Sequence, residues 1–488
     1  MNLNLRLVLH ILGIISILIG GTMLVGLAVA LIYRETGTAE IFAVLMAALV
    51  AAGSLLRRCT RSARPIIKIR EGVLVVALCW IFAAALGTLP YLISGAHTSF
   101  IDAFFEAMAC LTTTGSTLLE NVTELPHALL FWRQFNTWLG GMGILILAIS
   151  IMPMLGYGAA NLASAETSGQ SVDKIRARMT DTAKSVYLLY FVFTAAEVLL
   201  LLAGGAGLFD AFILAFGCMG NGGFANYDVT AMLGGSLYIE MIIVVFCVLA
   251  SFSFVSFQHL IKRRVRDFFK EVEIRLYLIL LGVFIGLIFA VLLLTGTYDS
   301  PAEAIRYGIF QSVSFITTAG YAGVDFDVWP QITHWMLLIV MVIGGCSGST
   351  SGGIKVVRAA VALSLVKRNI YKKLHPNAVV AVKIGDKTVP ADRVSSIATF
   401  IILYIVIVMF SCVLLSLENL DAETTLGTVI AMLSNTGLVL GGGVGYQESF
   451  QVFAPASRLF MTVLMLVGRL EIFTILLLFI PAFWRPYR

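Results

Sequence analysis

Four times along the chain a short apolar stretch runs into a loop that ends in glycine, reading TTTG to Gly115, GNGG to Gly223, TTAG to Gly320 and SNTG to Gly437. The glycines stand 108, 97 and 117 residues apart, the signature of one unit repeated four times. Around these loops the chain is too apolar for water: 59% of its 488 residues are hydrophobic and 12% are charged, far from a soluble domain. A fourfold ring of polar and glycine loops inside a bilayer protein is what a cation filter requires.

Apolar runs long enough to cross about 30 Å of hydrocarbon occur near 6–32, 38–56, 72–94, 131–155, 183–206, 237–260, 276–297, 394–417 and 458–483, with 334–366 a broken tenth. The first is longer than a signal-peptide core, so an uncleaved helix is expected. Seven cysteines, at 59, 79, 110, 218, 247, 346 and 412, show no CxxC spacing and read as small buried apolar residues. Basic residues fill every second connection: Arg57, Arg58, Arg61, Arg64, Lys68 and Arg70; Lys174, Arg176, Arg178 and Lys184; Lys262, Arg263, Arg264, Arg266 and Lys270; Lys367, Arg368, Lys372 and Lys373; Arg485 and Arg488. The positive-inside rule places these, and the N-terminus, in the cytoplasm. The alternate connections carry acids (Glu35 and Glu40, Asp102 to Glu124, Asp299 to Asp327, Glu418 to Glu423) that either draw cations or keep the outer surface soluble.

Each unit then reads as an outward helix, a re-entrant segment too short to span, and an inward helix. The re-entrant pieces fall near 100–114, 208–222, 301–319 and 421–436. Ile101-Asp102-Ala103-Phe104 matches Phe209-Asp210-Ala211-Phe212, and Cys110 matches Cys218. Asp102, Asp210, Ser300 before Pro301 and Glu303, and Asp421 are the expected N-terminal caps. The C-terminal ends of the four short helices then direct their negative dipoles toward the membrane centre.

An alkali cation entering a narrow pore loses water, and backbone carbonyls replace that shell. Aiming them at an axis demands unusual φ/ψ, which Gly115, Gly223, Gly320 and Gly437 tolerate. Thr112, Thr113, Thr114, Asn221, Gly222, Thr317, Thr318, Ala319, Ser434, Asn435 and Thr436 complete the candidate cation-binding set, supplying carbonyls and bracing hydrogen bonds. In the broken stretch, Gly344, Gly345, Ser347, Gly348, Ser349, Thr350, Ser351, Gly352 and Gly353 cannot sustain helix; the break either kinks a helix for packing or opens a loop inside the membrane. Gly348 and Gly353 match a phosphate-loop spacing, but Ile354 stands where that motif needs lysine, so no nucleotide is expected on this chain. Arg469 lies inside an apolar run and must face protein or a cavity; Glu471, two residues on, would lie on another helix face. Glu197 is either a proton-coupling acid or an interhelical hydrogen-bond partner. The alternation around Gly385-Asp386 predicts a short β-hairpin between 377 and 390. A membrane enzyme is disfavoured, because the six histidines form no catalytic or metal-binding pair.

The four loops, the N-terminal hairpin, the break at 344–353 and Arg469 resemble the Trk/Ktr/HKT superfamily of potassium transporters, within it the TrkH/TrkG type, over essentially the whole chain. The resemblance implies an all-α polytopic membrane protein of four linked M1-P-M2 units, as in a K⁺ channel, around one pore. On this reading 1–70 is the N-terminal hairpin and linker, and 71–156, 157–270, 271–373 and 374–488 are pore repeats one to four. It implies K⁺ uptake across a bacterial inner membrane, a homodimer with one pore per protomer, and 344–353 as a gating loop beneath the filter, opposed by Arg469. It also implies a TrkA-like cytoplasmic ring that binds NAD(H) or ATP/ADP; the basic connections alternatively serve topology and anionic lipid contact. No nucleic-acid partner is expected. In this family a serine in place of the first loop glycine accompanies Na⁺ transport in some plant members, whereas all four glycines are present here. GNGGF and SNTGL depart from TTAGY, so selectivity weaker than in a true fourfold channel is expected. The alternative is a proton- or sodium-coupled cation transporter using Glu197 or Arg469.

Overall fold

The structure, a computed structural model, describes residues 4–60, 69–119, 122–151, 172–224, 235–385, 387–444 and 449–484, by backbone alone at 69, 123, 144–151, 172–183 and 482. Arg61, Arg64, Lys68, Arg485 and Arg488, the side chains of Lys174, Arg176 and Arg178, Asp386, residues 152–155 and the 156–157 junction lie outside the described residues.

Two long helices, α1 (Leu5–Ile32) and α2 (Thr36–Cys59), form an antiparallel hairpin. Small residues let them approach closely, as is usual in lipid: a Cβ on Gly53 would lie 2.6 Å from the Gly13 carbonyl oxygen. The hairpin is tied to the rest of the molecule at Glu35, whose carboxylate accepts from the His127 and Ala128 amides at the start of the helix that begins at His127, where the helix dipole favours a negative charge.

A common element order then recurs. The first unit is α3 (Ile69–Gly87) with α4 (Leu89–Ile93), the short α5 (Phe100–Leu111) and α6 (His127–Ile151). The second is α7 (Val172–Ala203), α8 (Leu208–Gly220) and α9 (Leu237–Ser251), followed by α10 (Phe257–Ile261) and α11 (Val265–Lys270). The third is α12 (Val272–Thr295), α13 (Pro301–Ile316), α14 (Gln331–Ile343) and α15 (Val356–Leu374). After a hairpin of β1 (Lys383–Ile384) and β2 (Lys387–Thr388), the fourth is α16 (Ala391–Leu415), α17 (Ala422–Leu433), α18 (Pro455–Arg469), α19 (Ile472–Phe479) and α20 (Pro481–Trp484). The hairpin follows the predicted alternation: Lys383 pairs with Thr388 and Ile384 with Lys387, while Val382 packs with Val361 and Val394.

Burial separates the elements by role. In α5, α8, α13 and α17 nearly every residue of the last two turns is buried, whereas α12 exposes Ile279, Val283, Leu287 and Leu294. An apolar exterior around a buried centre containing irregular backbone fits a bilayer and not water.

Six described helices are long and apolar enough to cross a membrane, seven if α18 and α19 make one bent span; the sequence reading expects more continuous spans. Three of the helices that follow a short helix break instead. The run 237–260 stops at Ser251, because the loop after α14 satisfies its end: the Cys346 amide donates to the Ser251 carbonyl at 3.0 Å and the Thr350 amide to the Ala250 carbonyl at 3.3 Å. The run 458–483 bends by 119° between Arg469 and Ile472, with Glu471 at φ 62°. Arg469 therefore ends a helix and does not sit in the middle of one. The break after Ile343, by contrast, falls where the glycines predict it.

Candidate functional site

Each short helix starts on the same side as the acidic connections. Ser99 caps α5 by accepting from the Ile101 amide, Ser300 caps α13 ahead of Pro301, and Asp421 caps α17 through the Thr424 amide at 2.9 Å. Thr424, by its side chain and then its amide, holds the Asp421 carboxyl below the usual carboxylate range against the opposing effect of burial. Asp102 and Asp210 are not caps as expected, since their helices begin two residues earlier; both lie in the first turn, where an acid still complements the dipole. Polar side chains near the starts of the short helices bridge neighbouring units: Arg458 to Asp102 at 2.6 Å, Arg306 to Glu240 at 2.7 Å and His334 to Glu423 at 2.7 Å. Asp102 is thus ion-paired and Glu423 hydrogen-bonded to His334, and neither is a free charge.

The four helices end identically. The amides of Thr113, Asn221, Thr318 and Asn435 reach back to the carbonyls of Cys110, Cys218, Phe315 and Met432. The next amides, of Thr114, Gly222, Ala319 and Thr436, reach the carbonyls of Ala109, Gly217, Ser314 and Ala431 at 2.8, 3.0, 3.0 and 2.9 Å. This pair of bonds is the Schellman motif. The first residue of each pair is left-handed, with φ 57°, 51°, 57° and 54°, although none of the four is glycine. Gly115, Gly320 and Gly437 are also left-handed, at φ 83°, 74° and 78°; Gly223 is not among them. The shared frame aligns Thr112, Gly220, Thr317 and Ser434 as the helix-terminal position, so Gly220 joins the set; sequence reading missed it because GNGG offers two registers.

The loops close into a ring in chain order. A Cβ on Gly115 would lie 3.3 Å from the Gly223 carbonyl oxygen, and one on Gly223 would lie 2.8 Å from the Ala319 carbonyl oxygen. A Cβ on Gly320 would overlap the Thr436 carbonyl, and one on Gly437 would overlap that of Thr114. Across the ring, Gly320 approaches the Thr114 carbonyl, its Cβ position 3.8 Å away. The backbones thus converge on one narrow axis, with the loop carbonyls among the groups that meet there. Loop two departs: its Gly223 amide donates to the Ala319 carbonyl.

Behind the ring, polar side chains hold the loops. Glu106, nine residues before Gly115, accepts from the Leu118 amide at 3.1 Å and from Arg133 Nε at 2.6 Å, with both side chains fully buried. Gln311, nine residues before Gly320, accepts from the Gly323 amide in the same way. The Arg133 guanidinium lies 3.8 Å over the Phe224 ring, carrying the brace to loop two. Asn435 donates to Thr114 Oγ1 and to the Met465 carbonyl, and Ser434 pairs with Tyr404.

The break at 344–353 sits directly against this ring. The Gly352 amide donates to Thr318 Oγ1 at 2.7 Å, and the Gly353 amide to the Ser434 carbonyl at 3.2 Å. Asn221 donates to Thr350 Oγ1 and Ser351 Oγ, both at 3.0 Å. A Cβ on Gly352 would overlap the Ser434 carbonyl, so glycine is needed for the close approach. Gly344 is left-handed, at φ 71°, and a Cβ on Gly345 would meet Ser351 Oγ at 2.5 Å. Ser347, Gly348 and Ser349 bond away from the ring, to Glu273, Phe254 and Cys346. Arg469, buried, donates to the Thr350 carbonyl at 2.8 Å and the Gly140 carbonyl at 2.7 Å, and so clamps the break to α6. Glu471, as expected, does not pair with Arg469, though the reason is the bend; it pairs with Arg358 at 2.7 Å. Glu197 is fully buried against the Cys218 thiol of α8.

The TrkH family model, described as cation transport protein, matches residues 37–485. The chain is 35% identical to the Trk system potassium uptake protein TrkH of Halomonas elongata over 99% of this chain and 100% of that protein. It is 30% identical to the Trk system potassium uptake protein TrkG of Escherichia coli over 99% of each. The crystal structure of the potassium transporter TrkH from Vibrio parahaemolyticus superposes with a TM-score of 0.88 at 33% identity, over 99% of this chain and 100% of that one.

Proposed function

The chain belongs to the TrkH family of cation transport proteins, and from that premise we propose that it takes up K⁺ through the ring of four loops. The observation that carries the proposal is the ring itself: four short helices with the same C-terminal bonding, whose loops meet in chain order on one axis. K⁺ enters from the acidic face, sheds water, and is held by carbonyls of Thr112–Gly115, Gly220–Gly223, Thr317–Gly320 and Ser434–Gly437. The C-terminal ends of α5, α8, α13 and α17 add the negative ends of their dipoles. Loop two, with an amide turned toward Ala319, weakens the fourfold cage and with it the discrimination against Na⁺.

Residues 344–353 are the gate of this proposal. Packed against the ring by Asn221, Thr318 and Ser434, they obstruct the exit, and Arg469 holds them there while adding a positive barrier to a passing cation. Opening breaks the Arg469 to Thr350 bond. The pore repeats divide at 71, 157, 271 and 374. The chain lies in a bacterial inner membrane with its N-terminus and basic connections in the cytoplasm, works as a homodimer, and is regulated by a nucleotide-binding ring docked on those connections.

Radiolabelled Rb⁺ uptake into proteoliposomes, competed with K⁺ or Na⁺, tests the reading. K⁺ should compete strongly and Na⁺ weakly, with uptake following the K⁺ gradient alone. Uptake that requires a proton gradient and stops in Glu197→Gln would favour a coupled transporter instead.

A further inference from the structure

Ser347 is held apart from the rest of the intramembrane loop. Its amide donates to Glu273 Oε1 at 2.6 Å, whereas Thr350 to Gly353 are tied to the ring and to Arg469. Glu273 is the second residue of α12, on the side that carries the basic connections. Its neighbour Val272 touches the tip of the β-hairpin: Gly385 is left-handed at φ 57°, and a Cβ there would lie 2.6 Å from Val272 Cγ2. On the other flank, Glu271 accepts from Ser256 Oγ and lies 3.3 Å from His259 Nε2. Residues 271–273 therefore join three bodies: the connection after α9, the surface hairpin and the intramembrane loop. Lys355, whose ammonium donates to the Ser351 carbonyl, is the cation facing Glu273 from within the loop.

We propose that Glu273 is a positioning residue for gating, a latch that holds the loop in its closed arrangement through the Ser347 amide, and that the hairpin tip acts on it through Val272. A carboxylate accepting from a backbone amide makes a charge-assisted hydrogen bond, stronger than a neutral one. The geometry places this bond where a displacement of the hairpin against Val272 moves the acceptor. This inference rests on the reading of 344–353 as a gate.

The test uses the full chain in proteoliposomes, with Rb⁺ flux measured for Glu273→Gln, Glu273→Ala, Gly385→Val, the Glu273→Ala/Gly385→Val double variant, and a chain lacking 348–350. Both Glu273 variants should raise basal flux, Ala by about tenfold or more from loss of the charge-assisted bond, with K⁺ over Na⁺ preference unchanged. That preference also reports an intact ring, which a merely unfolded variant would lack. Gly385→Val should alter flux in the parent and add nothing in Glu273→Ala. If the deletion raises flux while both Glu273 variants match or fall below the parent, the latch is wrong and the gate stands. Additive effects of Gly385→Val and Glu273→Ala overturn the hairpin coupling. A deletion that leaves flux unchanged overturns the gate, and the latch with it.

Discussion

Thr113 and Thr318 occupy the same left-handed position, at φ 57°, where a β-branched residue costs about 1–3 kcal/mol. The two differ in what their hydroxyls do. Thr318 Oγ1 accepts the Gly352 amide, and Thr113 Oγ1 is buried without a hydrogen-bond partner. Thr113→Gly should therefore raise the thermal midpoint by a few degrees, while Thr318→Gly trades relief of strain for a lost bond and raises basal flux; a melting series paired with flux assays checks both. Gly437→Ala should abolish selective uptake, since its Cβ would overlap the Thr114 carbonyl. At Asp421 the sign follows from its depressed pKa: the stabilisation is present above the ordinary carboxylate value of about 3.9 and lost as pH falls through the lower folded value. Asp421→Asn should accordingly flatten the acid limb of a melting-temperature against pH profile. The glycines of the loops are readable in sequence because each ends a polar run. The strained threonines and asparagines are not, because left-handed backbone at a non-glycine residue is imposed by the helix end and leaves no compositional mark.

Helix ends, more than helices, decide the geometry of the site. The short helices are legible from their length, from the caps Ser300 and Asp421 and from the Ile-Asp-Ala-Phe/Phe-Asp-Ala-Phe match, although Asp102 and Asp210 are not the caps expected, and the Gly/Ser run at 344–353 is legible as a break. The breaks at 251 and 469 are hidden, because Phe252-Ser253-Phe254 and Leu470-Glu471-Ile472 contain no glycine or proline. They form where tertiary partners take over the freed backbone, as Cys346 and Thr350 do for α9. Glu106 and Arg133 escaped notice for a related reason: they are 27 residues apart and meet only when α5 packs on α6. Glu106→Ala should destabilise by about 3–5 kcal/mol, because it leaves a buried guanidinium without its carboxylate. Glu106→Gln should be milder and should weaken K⁺ over Na⁺ preference, since the brace on Leu118 and Thr117 is reduced. Thermal unfolding and competition uptake on the same preparations separate the two effects. Arg469→Ala removes the clamp on Thr350 and should raise basal flux while leaving the ion preference in place.

At the scale of the molecule, an apolar outer surface, a buried set of four helix ends and a loop packed beneath them form one arrangement. Contacts between successive units close the circle at the loop backbones, and farther out Arg306 to Glu240, His334 to Glu423 and Arg458 to Asp102 bridge three of the four junctions. Ion selectivity in such a ring belongs to no single loop, so perturbing one glycine should alter the discrimination of the whole. The most direct test is the reversal potential of Gly115→Ser beside the parent, in bilayers with K⁺ on one side and Na⁺ on the other. The account predicts a parent potential displaced toward the K⁺ limit and a variant potential displaced toward zero, with current retained. An unchanged potential in a conducting Gly115→Ser protein would contradict it, because the ions would then be chosen somewhere other than the four loops.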